Sequence, residues 1–69
     1  MATLRVLRQR ARLTQHQLAR RAGLRQTTVS VLELGKVPDP RISTVRRLAR
    51  GLRMPVPVVL RAFPEGLRD

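Results

Sequence analysis

Apolar residues recur along this chain at helical spacing in five successive stretches, each bounded by residues that start or stop a helix. Leu4, Leu7 and Ala11 stand at i, i+3 and i+7 with Arg5, Arg8, Gln9, Arg10 and Arg12 around them, which predicts an amphipathic first helix. The second helix has the clearest start. Thr14-Gln15-His16-Gln17 is a capping box: the Thr14 hydroxyl accepts from the backbone N–H of Gln17, and the Gln17 side chain reaches back to the cap. Leu13 before the cap and Leu18 at the fourth helical position make a hydrophobic staple. Leu18, Ala19 and Ala22 supply the buried face, and Gly23 the left-handed residue that ends it. A third helix is predicted from Gln26 to Leu34, with Val29 and Leu32 inward and Gly35 as its stop; Arg25 sits where a Ser or Thr cap is expected. Beyond the loop Lys36-Val37-Pro38, Asp39 and Pro40 read as cap and first residue of a fourth helix. Its apolar face is Ile42, Val45, Leu48, Ala49 and Leu52. Val56 to Phe63 reads as a short apolar fifth helix, with Pro57 in its first turn and Pro64 past its end. The pattern predicts an all-α fold, a compact five-helix bundle.

Composition narrows what such a bundle does. Sixty-nine residues are expected to form one domain, 1–69, with a core modest enough that oligomerisation would help to hold it. Cysteine is absent, which excludes disulfides, and His16 is the only histidine, so neither a zinc site nor any other cofactor is expected. The net charge is +11, from 15 basic residues against Glu33, Asp39, Glu65 and Asp69. Such an excess attracts polyanions, either nucleic acid or an anionic membrane. Every basic residue but Lys36 is Arg. That bias suits bidentate phosphate and guanine contacts, and a GC-rich genome would produce it equally well.

No apolar run approaches the roughly 20 residues of a membrane span. The start, Met1-Ala2-Thr3-Leu4-Arg5, has no signal-peptide apolar region. The expected location is therefore the cytoplasm, with the DNA. Phe63 is the only aromatic residue, which argues against single-strand or RNA binding on stacking platforms.

The informative segment runs from Gln15 to Leu34. Two helices of about eight residues are joined by Gly23-Leu24-Arg25. Small Ala19 allows a close crossing, and Leu24, Val29 and Leu32 fill the angle between the helices, which is the physical content of a helix-turn-helix. Two helices and a Gly turn are weak evidence alone; the capping box, the small residue and the turn Gly at their offsets make the pattern specific. Placing Val29 and Leu32 inward turns Thr27, Ser30, Val31 and Leu34 outward.

The run Leu13-Thr14-Gln15, Leu18-Ala19, Ala22-Gly23-Leu24, then Thr27-Thr28-Val29-Ser30, Leu32-Glu33 and Gly35-Lys36 resembles the Cro/phage-repressor (XRE-like) helix-turn-helix family, with similarity from about Leu4 to Leu60. The resemblance implies a lambda-repressor-like five-helix domain, usually dimeric, that binds palindromic operators in double-stranded DNA and regulates transcription. It implies groove-facing roles for Thr27, Ser30 and Val31, with Arg25 and Gln26 at the reading end. Phosphate contacts are implied for Gln15 and Lys36, to which Arg41 is added, and an ion pair between Arg8 and Glu33. The chain departs from the family's pattern at Arg25 in the cap, at Val31 where a long polar reader is common, and at Leu34 in place of Asn. Gly51 also falls two residues before the position at which the family tends to place glycine, here Arg53.

Other readings stay open. Val31 and Leu34 suit thymine methyl groups, or else a protein contact in a module that keeps the fold without operator binding. An antitoxin paired with a cognate toxin is a second alternative, although nothing after Phe63 resembles a toxin-wrapping tail. A membrane-active cationic peptide is disfavoured by short, capped helices, and no membrane partner is expected. Ser30, Ser43 and His16 lack a carboxylate to orient the histidine, so no enzyme activity is expected. A homodimer is expected through the apolar last segment, using some of Val56, Val59, Leu60 and Phe63.

Overall fold

The computed structural model describes residues 3–37 and 39–68; Met1, Ala2, the loop residue Pro38 and Asp69 lie outside the described residues. Five helices follow one another: α1 Leu4–Arg10, α2 Gln15–Ala22, α3 Gln26–Glu33, α4 Ile42–Leu52 and α5 Val56–Leu60. The described residues contain no β-strand, only an isolated parallel bridge between Arg41 and Arg68. The all-helical architecture read from the sequence is the one observed.

Local chemistry explains the helix boundaries. The Thr3 hydroxyl accepts from the Val6 N–H at the head of α1. At α2 both halves of the capping box are formed, with Gln17 N–H to Thr14 Oγ1 at 3.1 Å and Thr14 N–H to Gln17 Oε1 at 2.9 Å. Four of the five helices end alike. A left-handed residue follows the helix, its N–H bonds back three residues, and the next N–H bonds back five, the Schellman arrangement that satisfies the last carbonyls. Gly23 and Gly35 take that conformation after α2 and α3, whereas Arg12 and Arg53 take it after α1 and α4, with φ of 59° and 56°.

The termini of the last two helices differ from the sequence reading. Instead of starting at Asp39-Pro40, α4 begins at Ile42, with Arg41 in the cap position and no side-chain cap bond. Residues 40–42 are drawn into the bridge with Arg68: its N–H donates to the Pro40 carbonyl, and the Ile42 N–H donates to the Arg68 carbonyl. A cap at Asp39 is thereby displaced. Likewise α5 stops at Leu60 rather than Phe63. The N–H groups of Ala62 and Phe63 turn back to Val59 and Leu60, tightening the chain before Pro64, which has no N–H to continue.

One core joins all five helices. Leu7, Leu18, Val29, Val45, Leu48 and Val59 are wholly buried, and Phe63 closes it. The most extensive contact is α2 against α4. It depends on small residues: a Cβ at Gly51 would lie 3.1 Å from Leu18 Cδ1 and 3.2 Å from the backbone nitrogen of Ala22. Gly51 is therefore a close-approach residue inside α4, and Arg53 ends that helix without glycine.

A left-handed L-residue costs about 1–2 kcal/mol, so Arg53→Gly should raise stability by about 1 kcal/mol after the entropy of an added glycine. Gly51→Ala should instead destabilise by about 1–2 kcal/mol, overpacking against a backbone atom that cannot yield outweighing the gain in helix propensity. Thermal unfolding of the two variants should therefore shift in opposite directions.

Candidate nucleic-acid interface

The site is built on α3. Val29 and Leu32 turn into the core, which rotates Thr27, Ser30, Val31 and Leu34 into an outward ridge. Arg25, Gln26 and Thr27 are exposed and Ser30 and Val31 half-buried. Among the described residues, none of these five side chains makes a hydrogen bond within the protein. Arg25 provides no side-chain cap to the first turn of α3; its carbonyl accepts from the N–H of Thr28 at 3.0 Å. Leu34 is 66% exposed at the end of the ridge.

Two grooves flank this ridge. On the Ser30–Leu34 side lies one of about 310 Å³, lined by Arg5, Arg8, Gln15 and Glu33 as well. On the Thr28–Val31 side lies one of about 240 Å³, bounded by Val37, Asp39, Pro40, Arg41, Thr44 and Arg68. A projecting helix between two basic clefts has the shape that fits a major groove bordered by two phosphate backbones. Of the three residues expected at phosphates, Gln15 lies in the first cleft and Arg41 in the second, and Lys36 is exposed on the loop after α3.

The first cleft is held by an ion pair. Arg8 Nε donates to Glu33 Oε2, and its Nη2 donates to Oε1 at 3.1 Å. The third nitrogen, Nη1, donates to the carbonyl of Leu13 at 2.9 Å, ahead of α2. Gln15 Nε2 donates to the same Glu33 Oε1 at 3.1 Å. The Arg8 and Glu33 side chains are only 13% and 5% exposed, so the pair expected from the resemblance is present and largely buried. Burial alone would push the Glu33 carboxyl up. Hydrogen bonds from Arg8 and Gln15 and the charges of Arg8 and Arg5 outweigh it, holding Glu33 below the usual carboxylate range. The same hydrogen bonding to Glu33 raises Arg8 against the opposing effect of burial.

Sequence reasoning missed three links. Gln15 is oriented by Glu33, Arg47 Nη1 donates to the Gly23 carbonyl at the end of α2, and Arg68 pairs with Asp39. Each joins residues far apart in the chain, and local spacing carries no sign of them. The expected dimer residues also divide. Val59 and Phe63 are 0% and 6% exposed and belong to the protomer's own core. Val56 and Leu60 stay half-buried. No helix among the described residues is long and apolar enough to cross a membrane.

Similarity to known proteins follows the geometry. A family model described as a helix-turn-helix domain matches residues 2–63. The chain is also similar to an uncharacterized HTH-type transcriptional regulator, RghRB, of Bacillus subtilis (strain 168), at 36% identity over 72 residues, covering 96% of this chain and 52% of that protein. It thus spans about half the length of the curated relative it matches. No solved structure matches.

Removing one member of a buried pair strands the other charge. Glu33→Ala should therefore cost about 3 kcal/mol, and exposed Glu65→Ala less than about 0.5 kcal/mol. Glu33 is depressed in the folded state, so its contribution is complete above the unfolded carboxylate pKa and is lost as pH falls through the folded value. Chemical denaturation between about pH 6 and pH 2 should show a steeper acid loss in the parent chain than in Glu33→Gln.

Proposed function

The chain belongs to the helix-turn-helix domain family, and from that premise we propose that it is a sequence-specific regulator of transcription, acting as a repressor on double-stranded DNA. The observation that carries this reading is the α3 ridge: an outward row of side chains that make no hydrogen bond among the described residues, bordered on both sides by basic clefts. Arg25 and Gln26 stand at the end of α3 that enters the groove. Arg matches guanine O6 and N7, and Gln matches adenine N6 and N7, each worth about 1–3 kcal/mol of discrimination. Thr27, Ser30 and Val31 offer single hydroxyls or methyl contacts and tune the preference, thymine above all. Gln15, Lys36 and Arg41, with backbone N–H groups, hold the phosphates.

Two copies related by a two-fold axis would place their recognition helices about 34 Å apart, so the operator is an inverted repeat. The surface left to such a contact is the half-buried Val56 and Leu60. Exposed Leu34 on the reading ridge favours a second reading, in which the same face binds a protein.

Selection from random duplex DNA tests the proposal directly. Enrichment of one inverted repeat supports it, and recovery of no common motif overturns it. Gln26→Ala should relax one position of the selected motif, whereas a change at a phosphate contact weakens all sequences alike. Affinity should fall by orders of magnitude between about 50 and 200 mM salt. Sedimentation of a monomer, free and on DNA, would rule out the two-fold arrangement.

A further inference from the structure

Only four acidic residues occur in the chain, and two of them, Glu33 and Asp39, lie in α3 and the loop that follows it. A carboxylate on that side of the molecule opposes any polyanion brought to the ridge. Each of the two is met by an arginine from a distant segment, Glu33 by Arg8 from 25 positions away and Asp39 by Arg68 from 29. The Arg68 guanidinium forks onto the carboxylate: Nη2 lies 3.2 Å from both Oδ1 and Oδ2, and Nε lies 3.3 Å from Oδ2.

The backbone of the same residue is anchored as well. The Arg68 N–H donates to Pro40 at 2.9 Å and its carbonyl accepts from Ile42 at 3.2 Å, while Leu67 packs half-buried against the core. Arg68 is therefore held against the loop between α3 and α4 on both sides of Arg41, with Leu67 seated on the core before it. Arg41 remains exposed, and its side chain makes no hydrogen bond among the described residues, because Arg68 rather than Arg41 takes the Asp39 carboxylate.

We infer that residues 66–68 form a strap that fixes the α3–α4 loop for phosphate contact, and that Arg68 is a positioning residue whose fork cancels the Asp39 charge on the binding face. A pair this exposed, 60% for Arg68 and 39% for Asp39, adds little to folding stability. Its effect falls on the ligand. With Arg68 in place, a phosphate approaching Arg41 meets a neutral pair and a free cation; without it, the phosphate meets an unpaired carboxylate on a looser loop. The inference rests on the reading of this face as a DNA surface.

A double-mutant cycle on affinity for the selected duplex tests the charge, and hydrogen exchange of the free protein tests the strap. Arg68→Ala should weaken binding by roughly two- to fivefold, the scale of one exposed charge interaction. Asp39→Asn should recover most of the loss in the Arg68→Ala background, where the double variant keeps the parent net charge, and a double variant that binds no better than Arg68→Ala would overturn the assignment. In the free protein the Ile42 amide should exchange several times faster in Arg68→Ala than in the parent, and unchanged exchange would remove the strap. Because that measurement needs no DNA, it decides the strap even if the parent chain binds no duplex, an outcome that would fell the DNA reading instead.

Discussion

The arrangement of the first three helices depends on one guanidinium. Apolar packing is non-directional, so burial of Leu7, Leu18 and Val29 does not by itself fix the rotation of α3 about its axis. The Arg8–Glu33 pair removes that freedom. A carboxylate only 5% exposed must be paired, and Arg8 can reach it while bonding the Leu13 carbonyl only if α1, the start of α2 and the end of α3 stand in one relation. Gln15 is drawn into the same cluster, so the first turn of α2 is oriented by the residue that closes α3. Glu33 thus ties α3 to both Arg8 and Gln15.

The α2–α4 crossing works by the opposite means, through the absence of side chains. Ala22 and Gly51 bring two backbones close enough that no Cβ fits comfortably at Gly51. That placement leaves the end of α4 without a glycine, and Arg53 takes the left-handed conformation itself. Within α4, glycine stands where space is short, and the left-handed strain falls on an exposed arginine. Arg12 shows the same choice after α1.

Much of this was legible because its causes are local. Thr14 and Gln17 lie three residues apart, and the box they form is visible before any fold is known. The inward faces of α2, α3 and α4 follow from helical periodicity except at Ile42, which starts α4 and is 39% exposed. The failures share a cause of the opposite kind. Asp39 is a reasonable cap until Arg68 takes its carboxylate and pulls residues 40–42 into an extended bridge. Val59 and Phe63 look like unpartnered apolar residues until the protomer's own core takes them both. The Arg8–Glu33 pair is nonlocal too, and it was anticipated only through likeness to a family. Of the candidate site, the ridge was readable from periodicity; the clefts beside it, assembled from four separate segments, were not.

The side chains of Arg25, Gln26, Thr27, Ser30 and Val31 take no part in the hydrogen bonding that holds the molecule together, while Val29 and Leu32 of the same helix are committed to the core. On the proposed reading, sequence preference and folding are therefore carried by different faces of α3 and its cap. A substitution on the outer face would then change the target and leave the core as it is, whereas one at Val29 or Leu32 would strike the core whatever the target. The helix is in that sense a replaceable key on a fixed shaft, and divergence of recognition can run far ahead of divergence in architecture.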